Sequence, residues 1–194
     1  MTEHASTSRG VLYVVCCAAL AAQRIQDFIV LAQAARWEVC VIATPQATKF
    51  IDAPLLEKLT GHPVRTDYKR PEEPDVLPRA DVIVVYPATV NTLNKWALCI
   101  TDTLAVGILC EYMGLHMPMV AVPYVRTDSG LDNHPAFSKS LAFLRECGVH
   151  VLYEPEKYPP RNDVPWDVVL DEVQKIMREQ APERERDTTR PSEV

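Results

Sequence analysis

Glycine is scarce in this 194-residue sequence, and its absence from one turn is informative. The chain holds six glycines, and none lies in the turn after the first predicted strand, where residues 16–20 read CCAAL. A dinucleotide-binding fold places the pattern GxGxxG in this turn, because glycine lets the backbone approach a pyrophosphate closely. The sequence therefore disfavours NAD or FAD bound in the usual way.

Other features that the sequence lacks exclude whole classes of protein. The formal net charge is −6 and the basic residues are scattered, so we do not expect nucleic acid as a partner. No apolar run approaches the roughly 20 residues that a membrane-spanning helix needs. The first ten residues, MTEHASTSRG, are polar and include Glu3, unlike a secretory signal. We therefore expect a cytoplasmic protein with no membrane partner.

The six cysteines show no spacing typical of a metal or redox site. No CxxC pattern occurs, so neither a zinc site nor a redox dithiol is predicted. Cys16, Cys17, Cys40 and Cys110 lie inside or beside apolar segments. This placement predicts buried, reduced thiols and no metal centre.

Apolar strand patterns alternate with amphipathic helix patterns along the chain. Strands are predicted at residues 11–16, 39–43, 63–64, 82–86, 119–122 and 149–153. Helices are predicted around the stripe Ile25, Phe28, Ile29 and Ala32, at residues 53–59, from the end of the fourth strand to about residue 113, and at residues 135–146 and 166–179. Six β/α units predict one doubly wound, Rossmann-like (flavodoxin-like) α/β domain at residues 11–180, with a six-stranded parallel sheet. Residues 1–10 and 181–194 are predicted to be disordered tails.

The stretch at residues 81–102, DVIVVYPATVNTLNKWALCITD, carries the most chemistry. Its apolar strand stops at Pro87 and opens onto Thr89, Asn91 and Thr92, with Asp102 further along. Parallel sheets of this kind bind ligands at the carboxyl ends of their strands, so a polar loop here predicts a ligand site. Helix capping by these polar residues is an alternative that the sequence leaves open.

Two further strand ends are predicted to reach the same edge. Thr44 ends the second strand, and Ala18 and Ala19 follow the first. Backbone N–H groups in such a turn suit a single phosphate, and a hydroxyl beside them adds a donor. The alternative, that the two alanines only let helix and strand pack closely, stays open.

These residues resemble the signature of a known family. ADVIVVYPATVNTLNKWALCITDTL is similar to the pattern AD-apolar-PATxNTxxKxAxGxxDxL of the flavin-dependent cysteine decarboxylases, with Cys99 at the place of the glycine. EVCVIATPQATKFI and HPAFSKSLAFLRECGVHVLYEP resemble other parts of that family in register. The family includes phosphopantothenoylcysteine decarboxylases and peptidyl C-terminal cysteine decarboxylases. The similarity covers about residues 11–176.

The resemblance implies a fold, a cofactor and an assembly. It implies an FMN-binding subunit of a homotrimer or trimer-based homo-oligomer, with FMN between neighbouring subunits. It places the FMN phosphate at Ala18 and Ala19, and Thr44 and Phe50 beside the flavin. The cofactor-binding residues that it implies in the signature itself are Pro87, Ala88, Thr89, Asn91, Thr92 and Asp102.

The resemblance also implies a reaction. The substrate is a small-molecule or peptide thiol-carboxylate, such as a peptidyl C-terminal cysteine or a phosphopantothenoylcysteine-like compound. Oxidation at the substrate Cβ yields a thioaldehyde, from which carbon dioxide leaves to give an enethiolate. The flavin carries the hard step, while the protein positions the thiol and the carboxylate.

Besides Cys99 at the place of the glycine, three longer segments of the chain depart from the family. Residues 72–77, EEPDVL, lack the histidine that the family carries before the AD strand, although Glu73 or Asp75 with a raised pKa is a conceivable substitute. PYVRTDSGLDNHPAF replaces the PxMN loop that holds the substrate carboxylate, and PEKYPPRNDVPWD replaces the ACG flap. Within the new loop, Arg126 is predicted to clamp a carboxylate and His134 to act as a base.

These departures leave two alternative functions open. One is a flavin redox enzyme of different chemistry, such as oxidation of a small thiol. The other is a non-catalytic FMN-binding regulatory protein that kept the fold without the family histidine and the PxMN loop.

Overall fold

The structure is a computed structural model that describes the backbone of residues 8–187 and the side chains of residues 8–180. Its centre is a parallel sheet of five strands in the order β2-β1-β3-β4-β5. The strands are β1 (Val11–Cys16), β2 (Glu38–Ala43), β3 (Val82–Ala88), β4 (Met119–Pro123) and β5 (His150–Val151). This strand order is that of flavodoxin-like sheets, which confirms the predicted doubly wound α/β fold.

The sheet is buried because helices cover both of its faces. The helices are α1 (Ile25–Ala34), α2 (Ala53–Thr60), α3 (Val90–Ala97), α4 (Leu104–Gly114), α5 (Pro135–Glu146) and α6 (Trp166–Asp187). Helices α1, α2 and α6 pack on one face, and α3, α4 and α5 pack on the other. Every residue of β1 and β3 is buried, as expected of continuous apolar strands in a parallel sheet. The predicted stripe of α1 is buried as well.

The predicted strand at residues 63–64 is wrong, so the sheet has five strands rather than six. Only Arg65 meets the sheet edge: its N–H donates to Val41 O at 3.1 Å, and its carbonyl accepts from Ala43 N–H at 2.8 Å. Pro63 has no N–H to donate, and polar residues follow Arg65. The segment therefore forms one bridge and leaves the sheet.

The long helix predicted after β3 is in fact two helices. Helix α3 ends where Cys99 N–H donates to Trp96 O at 3.1 Å and Ile100 N–H donates to Lys95 O at 2.8 Å. This pair of bonds is a Schellman C-cap, which needs one residue in the left-handed conformation. Cys99 takes that conformation with φ of 54°. No glycine or proline marks this helix end in the sequence, so the break was not predicted.

Two further boundaries differ from those predicted. Strand β5 has two residues rather than five, and α6 continues to Asp187, beyond the predicted end at residue 179. Residues 181–187, which were predicted to begin the C-terminal tail, are therefore helical. The predicted tail segments at residues 1–7 and 188–194 lie outside the described residues.

Candidate functional site

Three of the predicted site segments lie side by side at the carboxyl edge of the sheet. Thr44 N–H donates to Cys16 O at 2.9 Å, which places the end of β2 against the end of β1. Cys17 N–H donates to Pro87 O at 3.3 Å, which places the end of β3 on the other side of the same turn. The turn after β1 is thus held between Thr44 and the polar loop that follows β3.

A buried chain of polar atoms links this turn to α3. The Cys17 thiol donates to Thr92 Oγ1 at 3.3 Å, and Thr92 Oγ1 lies 3.1 Å from Thr89 Oγ1. Cys17 is fully buried and Thr92 is 3% exposed. Burial raises the pKa of the Cys17 thiol, and the hydrogen bonds from the two threonines oppose that shift only in part. Cys17 is therefore a neutral donor, enclosed by the protein, that fixes the loop.

Thr89 also has the capping role that the sequence left open. It is the N-cap of α3, and its Oγ1 accepts a hydrogen bond of 3.5 Å from Thr92 N–H. The cap starts α3 directly after Pro87 and Ala88, so the helix carries Asn91 out to the exposed edge of the site. Thr89 and Thr92 thus cap α3 and also belong to the loop that is predicted to bind a ligand.

Several donors at this edge are free to meet a ligand. Ala18 N–H, the Thr44 hydroxyl and the Asn91 amide have no hydrogen-bond partner among the described residues. Ala18 and Ala19 carry no atoms beyond Cβ, so the turn leaves the space beside it open. The chain then forms a 3₁₀ turn (Leu20–Arg24) before α1 begins. This arrangement fits a small anionic group better than an apolar one.

Phe50 and Asp102 lie at the margins of the site. Phe50 follows a second 3₁₀ turn (Ala47–Lys49) beyond Thr44, is partly buried, and packs toward the core on the α1 side of the sheet. Asp102 forms an ion pair with Lys95, whose Nζ lies 2.5 Å from Oδ2. That pair spans the α3–α4 loop, so Asp102 is already engaged by a cation of its own chain.

The loop that replaces the family's PxMN segment begins beside the ligand edge. Tyr124 N–H donates to Ala88 O at 2.8 Å, which fixes the end of β4 against the end of β3. Arg126 follows two residues later, exposed and with no side-chain hydrogen bond or ion pair to another described residue. Its guanidinium is therefore available for a carboxylate.

His134 caps α5 in a way that limits its chemistry. Its Nδ1 accepts a hydrogen bond of 3.1 Å from Ala136 N–H. A neutral imidazole that accepts through one nitrogen carries its hydrogen on the other. His134 therefore presents an Nε2–H donor to solvent, and this geometry suits a hydrogen bond to a carboxylate better than abstraction of a proton.

The suggested substitution of the family histidine by Asp75 is not supported. Lys69 Nζ lies 2.8 Å from Asp75 Oδ1. This lysine lowers the pKa of the Asp75 carboxyl, whereas a general acid or base near neutral pH needs a raised one. Glu73 faces the same short loop, where its side chain accepts a hydrogen bond from Arg70 N–H at 3.1 Å.

Asn162 is a structural residue that the sequence did not reveal. Its side chain is fully buried and donates to Pro123 O at 2.9 Å and to Leu152 O at 2.8 Å. Its Oδ1 accepts from Glu154 N–H at 2.8 Å. These bonds hold residues 154–162 against the ends of β4 and β5. The segment that stands in place of the ACG flap is thus fixed by a buried amide.

A cleft of about 920 Å³ lies on the α4 face of the sheet, beneath residues 65–79. Tyr68 closes one side of it, with its hydroxyl donating toward Thr101 O at 3.4 Å and Thr103 O at 3.3 Å. Gly107 permits this closure, because a Cβ there would lie 2.2 Å from Tyr68 Oη. Thr101 lines the cleft and directly precedes Asp102 in the loop between α3 and α4, so the cleft borders this loop.

Neither a membrane span nor a metal site is found in the part of the chain that the structure describes. None of the helices within residues 8–187 is both long and apolar enough to cross a membrane. The side chains of residues 8–180 include no group of three or more histidines, cysteines and acidic residues arranged to hold a metal ion.

Comparison with known sequences finds one matching family and several relatives. The family described as Flavoprotein matches residues 2–177. The coenzyme A biosynthesis bifunctional protein CoaBC of Mycobacterium tuberculosis (strain ATCC 25618 / H37Rv) is 36% identical over 118 residues, which are 59% of this chain and 27% of that protein. The chain thus corresponds to about a quarter of the length of this curated relative.

Comparison with solved structures finds the same architecture. The FMN-dependent cysteine decarboxylase SpaF superposes with a TM-score of 0.73 at 21% identity, over 88% of this chain and 98% of that one. A PPC decarboxylase mutant complexed with pantothenoylaminoethenethiol gives a TM-score of 0.68 at 19% identity, over 87% and 98% of the two chains. At these identities the likeness establishes the shared fold.

Proposed function

The chain belongs to the Flavoprotein family, and on that basis we propose that it binds FMN and catalyses flavin-dependent decarboxylation of a cysteine-derived carboxylate. The matching relatives support this proposal, since they include a coenzyme A biosynthesis protein and FMN-dependent cysteine decarboxylases. The substrate is a small molecule or peptide with a thiol and a neighbouring carboxylate, as in a C-terminal cysteine.

Three strand ends converge at the turn after β1, and three donors at this edge have no partner among the described residues; this observation carries the proposal. Within the described part of the chain, these unpartnered groups are Ala18 N–H, the Thr44 hydroxyl and the Asn91 amide. FMN has one phosphate and a flat ring with polar edges, which need a small number of donors at separated points. A turn of small residues beside an exposed polar loop fits such a molecule. Binding a single phosphate does not require the GxGxxG pattern of dinucleotide-binding folds.

Each part of the site then has its own task. Ala18 N–H and the Thr44 hydroxyl bind the phosphate, while the Asn91 amide binds the polar edge of the ring. The hydrogen bonds among Cys17, Thr92 and Thr89 hold the loop after β3, which faces the ring, at a fixed distance from the turn after β1, which faces the phosphate. When bound, the flavin supplies a two-electron acceptor for oxidation at the substrate Cβ.

The loop after β4 binds the substrate carboxylate. Arg126 offers a planar pair of donors that matches a carboxylate, and no other described side chain occupies it. His134 Nε2–H adds a second donor from the N-terminus of α5, because its Nδ1 is held by Ala136 N–H. These two residues orient the carboxylate in place of the asparagine that the family uses.

The proposed assembly is a homotrimer or a trimer-based homo-oligomer in the cytoplasm. Apolar side chains around the cleft support an assembly surface there: Tyr68, Val76 and Leu115 are 55%, 46% and 51% exposed. The six cysteines are all free thiols, which suits a reducing compartment. Light scattering of the purified protein gives the mass of the assembly, and a monomer would contradict this part of the proposal.

The function is tested in two steps that separate cofactor from chemistry. The full chain is purified without added cofactor, and any chromophore released by denaturation is identified by mass. The protein is then given FMN and a peptide ending in cysteine, and carbon dioxide release is followed, with the matching serine peptide as control. We expect bound FMN and release from the cysteine peptide alone.

The possible failures are informative in different ways. A protein that is colourless and does not bind added FMN would overturn the whole proposal. Bound FMN without carbon dioxide from peptides ending in cysteine or from pantothenoylcysteine-type substrates would overturn only the decarboxylase assignment. That result would favour the alternative of a binding protein that has kept the fold.

A further inference from the structure

Cys99 occupies a backbone position that suits glycine. It is the left-handed residue of the Schellman cap at the end of α3, with φ of 54°. A side chain with a Cβ is strained there relative to glycine. Because such strain persists only where the surroundings stabilise it, the contacts of the Cys99 side chain are informative.

The side chain of Cys99 lies next to a second cysteine. Cys110 Sγ, on α4, lies 3.8 Å from Trp96 O, the same carbonyl that accepts Cys99 N–H at 3.1 Å. Both cysteines therefore converge on the C-terminal turn of α3. The pKa of the Cys110 thiol is raised to about 12. Burial is the main cause, and contact with the Cys99 thiol contributes the rest of the shift.

The two thiols differ in access to solvent. Cys99 is exposed and Cys110 is partly buried, so an oxidant in solution reaches Cys99 first. Cys16 and Cys17, which are adjacent in sequence, do not form such a pair. Both are buried, and they pack on opposite faces of the sheet. Among the described cysteines, Cys99 and Cys110 combine a contact between their side chains with access to solvent.

We propose that Cys99 and Cys110 are a modification site, at which hydrogen peroxide converts the two thiols into a reversible intramolecular disulfide. The Cys99 thiolate attacks one oxygen of the peroxide, the O–O bond breaks, and hydroxide leaves, giving a sulfenic acid. The Cys110 sulfur then attacks Cys99 Sγ, forming the S–S bond as the S–O bond breaks. The lost oxygen leaves as water with the Cys110 proton. Two thiols are oxidised by two electrons, and one peroxide is reduced to two waters.

The disulfide would join the α3–α4 loop to α4. This loop carries the Lys95–Asp102 ion pair and Thr101, which borders the cleft. Oxidation therefore fixes a connection that in the reduced protein is held by hydrogen bonds and one ion pair. The proposal rests on the thiol pair alone and does not depend on the proposed flavin chemistry.

The test is peptide mapping of the full chain after exposure to hydrogen peroxide under native conditions. Free thiols are alkylated after the treatment, and the digest is analysed by mass spectrometry with and without dithiothreitol. We expect a cross-linked peptide pair containing Cys99 and Cys110, a loss of about 2 Da from the intact chain, and reversal by the reductant. Cys147→Ser is the matched control, because it removes another thiol and leaves the pair in place.

Variants distinguish this reaction from an adventitious one. Cys110→Ser should leave Cys99 as a sulfenic acid that dimedone labels, with no intramolecular link. Cys99→Gly should fold, since glycine suits the left-handed position, and should show no link to Cys110. Recovery of both alkylated thiols after peroxide treatment of the wild-type chain would overturn the proposal. A link between Cys99 residues of two chains, unaffected by Cys110→Ser, would overturn it as well.

Discussion

The Cys17 thiol donates a hydrogen bond of 3.3 Å to Thr92 Oγ1, and this contact joins the turn after β1 to the first turn of α3. The two residues are 75 positions apart in sequence and are both buried. On one side of the contact lies Ala18 N–H and on the other the Asn91 amide, neither of which has a hydrogen-bond partner among the residues that the structure describes. The turn after β1 and the loop after β3 are thus joined by this buried side-chain hydrogen bond together with the backbone bond from Cys17 N–H to Pro87 O.

A double-mutant cycle measures what this bond contributes to stability. We expect Cys17→Ala and Thr92→Val to show a coupling energy of about 0.5–1.5 kcal/mol in the free energy of unfolding, the usual net value of one hydrogen bond. Urea denaturation of the wild type, both single variants and the double variant gives the coupling. Cys17→Ala with Val41→Ala is the control cycle, because Val41 packs on the opposite face of the sheet. A coupling no larger than that of the control would show that the contact stabilises nothing.

Asn91→Ala tests the proposed ring loop without disturbing the fold. Asn91 is exposed and its amide has no partner among the described residues, so we expect the free energy of unfolding to change by less than about 0.5 kcal/mol. Loss of one or two hydrogen bonds to the ring should weaken FMN binding by about tenfold. Titration of apoprotein with FMN, followed by flavin fluorescence, measures this. Gln23→Ala, at another exposed position, is the control. Equal affinities for the two variants would remove Asn91 from the site.

His134 has two candidate roles, and substitutions separate them. Asparagine accepts at an N-cap as well as histidine does, so His134→Asn should retain stability, while His134→Ala should lose about 0.5–2 kcal/mol. If His134 Nε2–H also binds the substrate carboxylate, both variants should raise KM for the thiol-carboxylate by a similar factor. Steady-state kinetics beside thermal unfolding tests this. Kinetics unchanged in both variants would leave His134 as a helix cap only.

The order of elements was predictable from the sequence because burial on both faces makes the strands continuous apolar runs. Residues 82–86 and 11–16 are such runs, and both lie in strands. Helix α5 was predicted with its observed bounds, since Pro135 opens it and Gly148 follows its end. These signals are local, and they do not depend on what the segments touch.

The parts that were missed depend on contacts between distant segments. Asn162 bonds only to backbone groups of β4, of Leu152 and of Glu154, and backbone partners leave no pattern in a sequence. The proximity of Cys99 and Cys110 depends on where α3 ends, which a left-handed cysteine decides without a glycine to mark it. The convergence of Thr44, Ala18 and the loop after β3 was predictable because parallel strands share one carboxyl edge.

The buried thiols give the protein a specific sensitivity to alkaline pH. Burial is the main cause that raises the pKa of Cys40 from 9.0 to about 12, and the Glu38 carboxylate adds to the shift. Below about pH 9 the thiol is protonated in both states, so its full contribution to stability is present. Between pH 9 and 12 the unfolded chain releases this proton while the folded protein keeps it. Stability is therefore lost as the pH rises.

Cys40→Ala should remove the contribution of one titrating group from the pH dependence of the free energy of unfolding. In the wild type the free energy of unfolding should fall with a slope to which Cys40 contributes more as the pH rises, approaching about 1.4 kcal/mol per pH unit above about pH 10, and the variant should lack that part. Urea denaturation from pH 8 to 10.5 measures both slopes, over a range where the other buried thiols act equally in the two proteins. Val41→Ala, which removes apolar volume from the same strand and titrates nothing, should keep the wild-type slope. Parallel curves for wild type and Cys40→Ala would mean that the Cys40 thiol ionises as readily in the folded protein as in the unfolded chain.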